Sequence, residues 1–148
     1  MHIQTEHVID VFHEMDELVK NYFARTEAAE GMPPLDMDWD FYITLQGRDK
    51  LVLITVRDEK YLVGFVMYVI GAHPHHKGRR TASCDILATR LEMRGMGLGT
   101  TMVRAAEDYL KSRKVQMVVH GFRTCYSAEP LFPKLGYNLI EQSYMKVL

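Results

Sequence analysis

Between Asp85 and Thr101 the sequence DILATRLEMRGMGLGTT runs from an apolar stretch, through a short polar crossing, into three glycines at alternate positions. Gly95, Gly97 and Gly99 alternate with Met96 and Leu98, Arg94 stands directly in front, and an amphipathic run follows to about Ser112. The pattern predicts a buried strand, a tight glycine turn and a helix opening out of it. Glycines let main-chain N–H groups converge on one spot without Cβ atoms in the way. The first turn of the helix adds N–H groups that lack intrahelical acceptors, and the positive end of the helix dipole. Together these make a cradle for phosphate, with Arg94 as a charged clamp and the Thr100 hydroxyl as a further donor.

Other glycine turns fit less well. A dinucleotide-binding fold wants a further glycine where Thr100 stands, and an acid closing the next strand. That strand is expected at Val115–His120 and ends Val118-Val119-His120 with no carboxylate. A P-loop needs Gly-Lys-Ser/Thr, which is absent. A tight turn with no ligand remains as the plain alternative.

The rest of the chain frames this turn. Its 148 residues suit one domain, 1–148, with a sizeable core. A net charge of −1 gives no bulk attraction to nucleic acid or membrane. Cys84 and Cys125 form no CxxC pair, which fits a reducing, cytoplasmic setting. The first ten residues are too polar for a signal peptide, and the apolar run Tyr61–Ile70 is too short to span a bilayer.

From His7 to Glu30 the stripe Val8, Phe12, Met15, Leu18/Val19, Tyr22/Phe23 predicts an amphipathic helix stopped by Gly31. Pro33-Pro34 forces an extended link, after which Asp36 or Asp38 caps a shorter helix through Trp39, Tyr42 and Ile43. Leu51–Arg57, Tyr61–Ile70 and Thr81–Thr89 are expected as three antiparallel strands. Gly64 marks a bulge or a close backbone approach. Helix 98–112 then crosses to a parallel strand at Val115–His120. A short helix over Glu129–Leu135 and a last strand over Tyr137–Leu148 complete an α/β domain with a mixed sheet.

Arg94-Gly95-Met96-Gly97-Leu98-Gly99 fits Arg/Gln-x-x-Gly-x-Gly/Ala and resembles the pyrophosphate signature of the GNAT superfamily, the acyl-CoA-dependent N-acyltransferases. The order of elements is similar too, with a first strand sometimes supplied by residues such as Met1–Ile3. Ala128–Tyr137 (AEPLFPKLGY) resembles the family's late Ala-x-x-Leu-Tyr-x-x-x-Gly-Phe/Tyr segment. With PPLDMDWD upstream, the pattern is similar to that of small GNAT proteins from phage and bacterial genomes. The resemblance implies transfer of an acetyl group from acetyl-CoA to an amine of a small molecule or a protein. The N–H groups from Gly95 to Thr100 would hold the pyrophosphate. The strand at Leu87, Ala88 and Thr89 would splay from its parallel neighbour, take the pantetheine along its edge and give an N–H to the thioester carbonyl.

A lysine-type amine arrives protonated, with an unperturbed pKa near ~10.4. A base must therefore take its proton, directly or through water. Asp85, expected on the same face as Ser83 and Leu87, and His120, closing the neighbouring strand, are the candidates; each has a plain structural alternative. Relatives often carry a thiolate-protonating Tyr where Phe132 stands, so the acid falls to Tyr126 or, second, Tyr144. Cys125 lies where relatives often have an Asn that hydrogen-bonds the cofactor. His73-Pro74-His75-His76 supplies too few converging ligands for zinc, so no metal is expected. The competing reading of the whole is a CoA-binding module without catalysis. A homodimer is compatible with the sequence.

Overall fold

The structure is a computed structural model and describes residues 1–25, 31–123 and 130–148. Five strands form one sheet in their order along the chain: β1 (His2–Thr5), β2 (Leu51–Asp58), β3 (Tyr61–Ala72), β4 (Arg80–Thr89) and β5 (Met117–Val119). The first four are antiparallel neighbours, and β5 lies parallel to β4. Glu59, at φ +51°, makes the tight turn between β2 and β3. Helix α3 (Leu98–Ser112) makes the crossover from β4 to β5 that a parallel pair requires.

Both faces of β2 and β3 are apolar, so each needs a helical cover. On one face α1 (Val8–Arg25) lays Val8, Val11, Met15, Leu18 and Val19 against Leu53, Leu62, Phe65 and Met67. Helix α2 (Trp39–Gly47) flanks α1, capped by Asp38, whose carboxylate accepts from the Phe41 N–H at 3.0 Å. On the other face Leu98, Met102, Ala106 and Leu110 of α3 pack on Val52, Ile54, Val66 and Tyr68. Arg57 ties the sheet to α1, donating to Glu6 at 3.0 Å and to Glu14 at 2.8 Å, while Thr55 donates its hydroxyl to Glu6.

Two bulges break the pleat. One sits where Val63 of β3 has no counterpart beside Val56 and Arg57. Next to it, a Cβ on Gly64 would come within 3.1 Å of the Ala88 carbonyl and 3.3 Å of Met102, so the glycine there admits a close approach of β4 and α3. The other is Asp85, which has no partner on β3: Tyr68 pairs with Cys84 and Met67 with Ile86.

Two expectations fail. Ser83 pairs with Val69 on the α1 face, whereas Leu87 pairs with Val66 on the α3 face. Asp85 therefore cannot share a face with both, because the bulge interrupts the alternation that expectation assumed. Residues 138–148 form no strand; they are exposed, and among the described residues their main chain pairs with no other segment. The last helix, α4, covers Leu131–Lys134, and position 129 lies outside the described residues.

Candidate active site

The glycine turn is built on two left-handed residues, Gly95 at φ +77° and Gly97 at φ +78°. A Cβ on either would meet nothing within 4 Å, so conformation rather than space demands glycine there. Gly97 is the N-cap of α3, and its carbonyl accepts both the Thr101 N–H, at 3.1 Å, and the Thr101 hydroxyl, at 3.0 Å. The N–H groups of Leu98, Gly99 and Thr100 precede that first intrahelical bond and face out of the helix end.

Beside the turn, β4 and β5 part. Their pairing stops at Ser83 and Val119, two residues before the Asp85 bulge, while β4 continues to Thr89. The Arg90 N–H donates to Val63 at 2.9 Å, which fixes the phase of the β3–β4 ladder. By alternation the main-chain polar groups of Ala88 turn toward β3, and those of Leu87 and Thr89 turn away from it. A cavity of about 410 Å³ fills the gap, reaching from the glycine turn past Leu87 and Thr89 to His120 and Phe132. Arg94 and Arg123 bring positive charge to its wall, and Asp85 brings a carboxylate.

His120 follows the last residue of β5 and lies among rings: Phe132 at 4.8 Å, Tyr137 at 5.0 Å and Tyr68 at 5.3 Å between centroids. Its Nε2 is 3.1 Å from the hydroxyl of wholly buried Tyr68. With the phenol donating, Nδ1 carries the ring proton, and this buried atom has no hydrogen-bond partner among the described residues. Burial lowers the imidazole pKa to about 4, so the ring is neutral at pH 7. Burial likewise pushes Tyr68 far above the usual phenol range and the Cys84 thiol up to about 12. Asp85 is exposed, and its Oδ2 accepts from the Tyr42 hydroxyl of α2 at 2.9 Å.

Of the residues singled out from sequence, Asp85, Leu87, Thr89, Arg94, Gly95, Gly97, Leu98, Gly99, Thr100 and His120 come together around this one cavity. Three do not line it. Ala88 is buried against the α1 cluster, Met96 is exposed to solvent, and Tyr144 is 95% exposed within 138–148. Tyr126 and Cys125 lie outside the described residues. Phe132, the ring standing where relatives often have the acid, is buried in the cavity wall.

Sequence reasoning missed Tyr68 and Tyr137, which meet His120, and read Tyr22 only as part of a helix stripe although it lines the cavity. Tyr68 sits in an otherwise apolar central strand, and a buried phenol needs a polar partner. That requirement was the available signal, but only the parallel register of β5 brings His120 to it. On the hairpin between β3 and β4 the three imidazoles cluster, with His75 and His76 ring centroids 5.4 and 4.7 Å from that of His73. Among the described residues no group of three or more His, Cys, Asp or Glu is arranged to hold a metal ion. Among them, too, no helix is long and apolar enough to cross a membrane.

A family model described as the acetyltransferase (GNAT) family matches residues 12–137. The chain belongs to that family, and acetyl transfer is its activity. Solved structures of like fold include a Trypanosoma brucei acetyltransferase, at TM-score 0.71 and 20% identity over 99% of both chains. Another is the ribosomal-protein-alanine N-acetyltransferase of Brucella melitensis biovar Abortus 2308, at TM-score 0.74 and 20% identity over 99% of this chain and 98% of that one. A third is a Clostridium acetobutylicum predicted acetyltransferase with acetyl-CoA, at TM-score 0.76 and 14% identity over 99% and 95%. At these identities the likeness is one of fold. No curated protein matches the sequence.

Proposed function

We propose that the chain is an N-acetyltransferase whose acetyl donor is acetyl-CoA and whose acceptor is an amine. The observation that carries this reading is the single cavity joining a phosphate-suited helix end to an unpaired strand edge and a neutral imidazole. Acetyl-CoA brings the activated acetyl group as a thioester; the rest is the work of this chain's side chains and main chain. The N–H groups of Leu98, Gly99 and Thr100, with the Arg94 guanidinium, suit the pyrophosphate. The outward N–H groups of Leu87 and Thr89 suit an acyl carbonyl oxygen that gains negative charge. A donor so placed is worth about 3–4 kcal/mol of transition-state stabilisation.

For the proton, His120 and Asp85 are the candidate bases. His120 has the neutral form ready at pH 7 but, with a pKa of about 4, holds a proton weakly. It suits relay through water better than outright abstraction. Tyr126 is the candidate acid for the departing thiolate. Tyr126→Phe is expected to lower kcat ~10²–10⁴-fold with acetyl-CoA affinity unchanged, as when only a transition-state contact is lost. Wild-type kcat in that variant, with chemistry rate-limiting, would remove the tyrosine from the mechanism.

The deciding experiment is a thermal shift with acetyl-CoA, then thiol release screened over amines, peptides and aminated antibiotics. A raised melting temperature with amine-dependent thiol release is expected. Stabilisation without release from any amine would leave a CoA-binding module, and no stabilisation at all would overturn the reading.

A further inference from the structure

We infer that Asp85 and Tyr42 together select the acceptor: Asp85 takes the ammonium of an amine that has no carboxylate beside it, and Tyr42 is the positioning residue that aims Asp85. This inference rests on the reading of the chain as an amine acetyltransferase. Asp85 is the bulge residue of β4 and pairs with nothing on β3, so the pleat does not set the direction of its side chain. The Tyr42 hydroxyl of α2 does, donating to Oδ2 at 2.9 Å. Among the described residues the other oxygen, Oδ1, accepts no hydrogen bond, and no cation pairs with the carboxylate. A charged oxygen on the cavity wall is thus left for a donor.

Tyr42 is itself aimed. Helix α2 buries none of its residues and is held by side-chain ties at both ends. The Trp39 indole N–H donates to Asp16 at 3.2 Å, and its ring lies 6.2 Å from Phe12 of α1 and 5.8 Å from Tyr42 between centroids. At the other end the Gln46 amide accepts from the Val8 N–H at 2.7 Å and donates to the Glu6 carbonyl at 2.9 Å. With α2 fixed in this way, the phenol has a set approach to the carboxylate. A side chain held by such an outer hydrogen bond presents its remaining atom at a set place.

Charge decides which amine fits. Asp85 is the only Asp or Glu lining the cavity among the described residues, so a protonated amine has one anion there to meet. From Pro33 to Gly47 the stretch that carries Tyr42 adds Asp36, Asp38 and Asp40 and no Lys or Arg. A carboxylate next to the amine would be brought against Asp85 along with it, where like charges repel. Asp85 is exposed, so water screens the contact and the preference is severalfold rather than thousandfold. Binding of the ammonium precedes loss of its proton, so the effect belongs in KM whichever group takes the proton.

Steady-state kinetics on matched pairs test it: tyramine against tyrosine, histamine against histidine, and agmatine against arginine, each differing by one carboxylate. The wild type is expected to favour the carboxylate-free member about fivefold in kcat/KM, and Asp85→Asn to bring that ratio close to one. The ratio is internal to each enzyme, so a slower variant still reads it. Tyr42→Phe keeps the ring and loses the bond. It is expected to raise KM for the best of these amines about threefold or more, with kcat and the stabilisation by acetyl-CoA unchanged. A merely structural tyrosine would move the melting temperature and leave KM alone. Four results would overturn the inference: no turnover of any carboxylate-free member, carboxylated members used as well or better, a ratio unaltered in Asp85→Asn, or an unmoved KM in Tyr42→Phe. Absence of thiol release with every amine screened fails the acetyltransferase reading itself, and the inference with it. Thiol release with these constants unmoved fails the inference alone.

Discussion

At φ +78° the main chain at Gly97 occupies a region that a residue with a Cβ enters at a cost of roughly 1–2 kcal/mol. Space would allow a side chain there; backbone conformation would not. Gly97→Val is therefore expected to shift the first turn of α3, re-aim its three N–H groups and weaken CoA at least tenfold by calorimetry, with the fold retained. Unchanged affinity in the folded variant would move the phosphate site elsewhere. His120 supplies a test of a different kind. Well above pH 6.5 its imidazole is neutral in both folded and unfolded chains. Between pH 6.5 and about 4 only the unfolded chain binds the proton, so stability is lost as pH falls, at up to ~1.4 kcal/mol per pH unit. In urea unfolding between pH 6.5 and 5, above the usual carboxylate range, His120→Phe is expected to flatten that slope. An unaltered slope would mean that the imidazole is solvated. The glycines and Arg94 were legible in the sequence because their chemistry is local. The bond from Tyr68 to His120 was not, since it joins residues 52 apart through strand register.

Among the elements, β1 shows how a four-residue strand is held. Its backbone pairs with β2, and Arg57 pins the end of it, with side chains of Arg57 and Glu6 only 13% and 16% exposed. Burial alone would raise the pKa of Glu6, but hydrogen bonds from Arg57 and Thr55 outweigh it and the net shift is downward. For Glu14 the hydrogen bond from Arg57 is the largest influence, and its pKa also falls. Both carboxylates therefore add stability above about pH 4.5 that is lost as the solution is acidified through their folded-state values. Arg57→Leu leaves Glu6 half-buried without its cation and is expected to cost about 3 kcal/mol in urea unfolding at pH 7. A cost below ~1 kcal/mol would class the cluster with ordinary surface ion pairs. The extent of α3 was readable, because a glycine turn opens it and the amphipathic run expected to end at about Ser112 does so. The strand expected over 137–148 was not found because a strand needs a partner, and no sequence pattern reveals whether one is within reach.

Across the whole molecule, order of elements and apolar runs foretold the mixed sheet, its parallel crossover and its flanking helices. What they could not foretell is where the pleat slips. Strict alternation assigned Asp85 a face, but the side chain belongs to neither regular row. Remove that residue on paper and the ladder becomes continuous: Cys84 followed by Ile86 keeps every later side chain on the face it already occupies. The last β4–β5 pair, Ser83 with Val119, lies two residues before this point, where a bulge bends a strand and sharpens its twist. The cavity is thus one codon deep. A chain lacking Asp85 is expected to fold with an unbroken β3–β4 ladder, seen as regular cross-strand contacts in its NMR spectra. Its β4 should straighten alongside β5, and acetyl-CoA should no longer raise its melting temperature. A deletion variant that still responds to the donor would show that the strands part for some other reason.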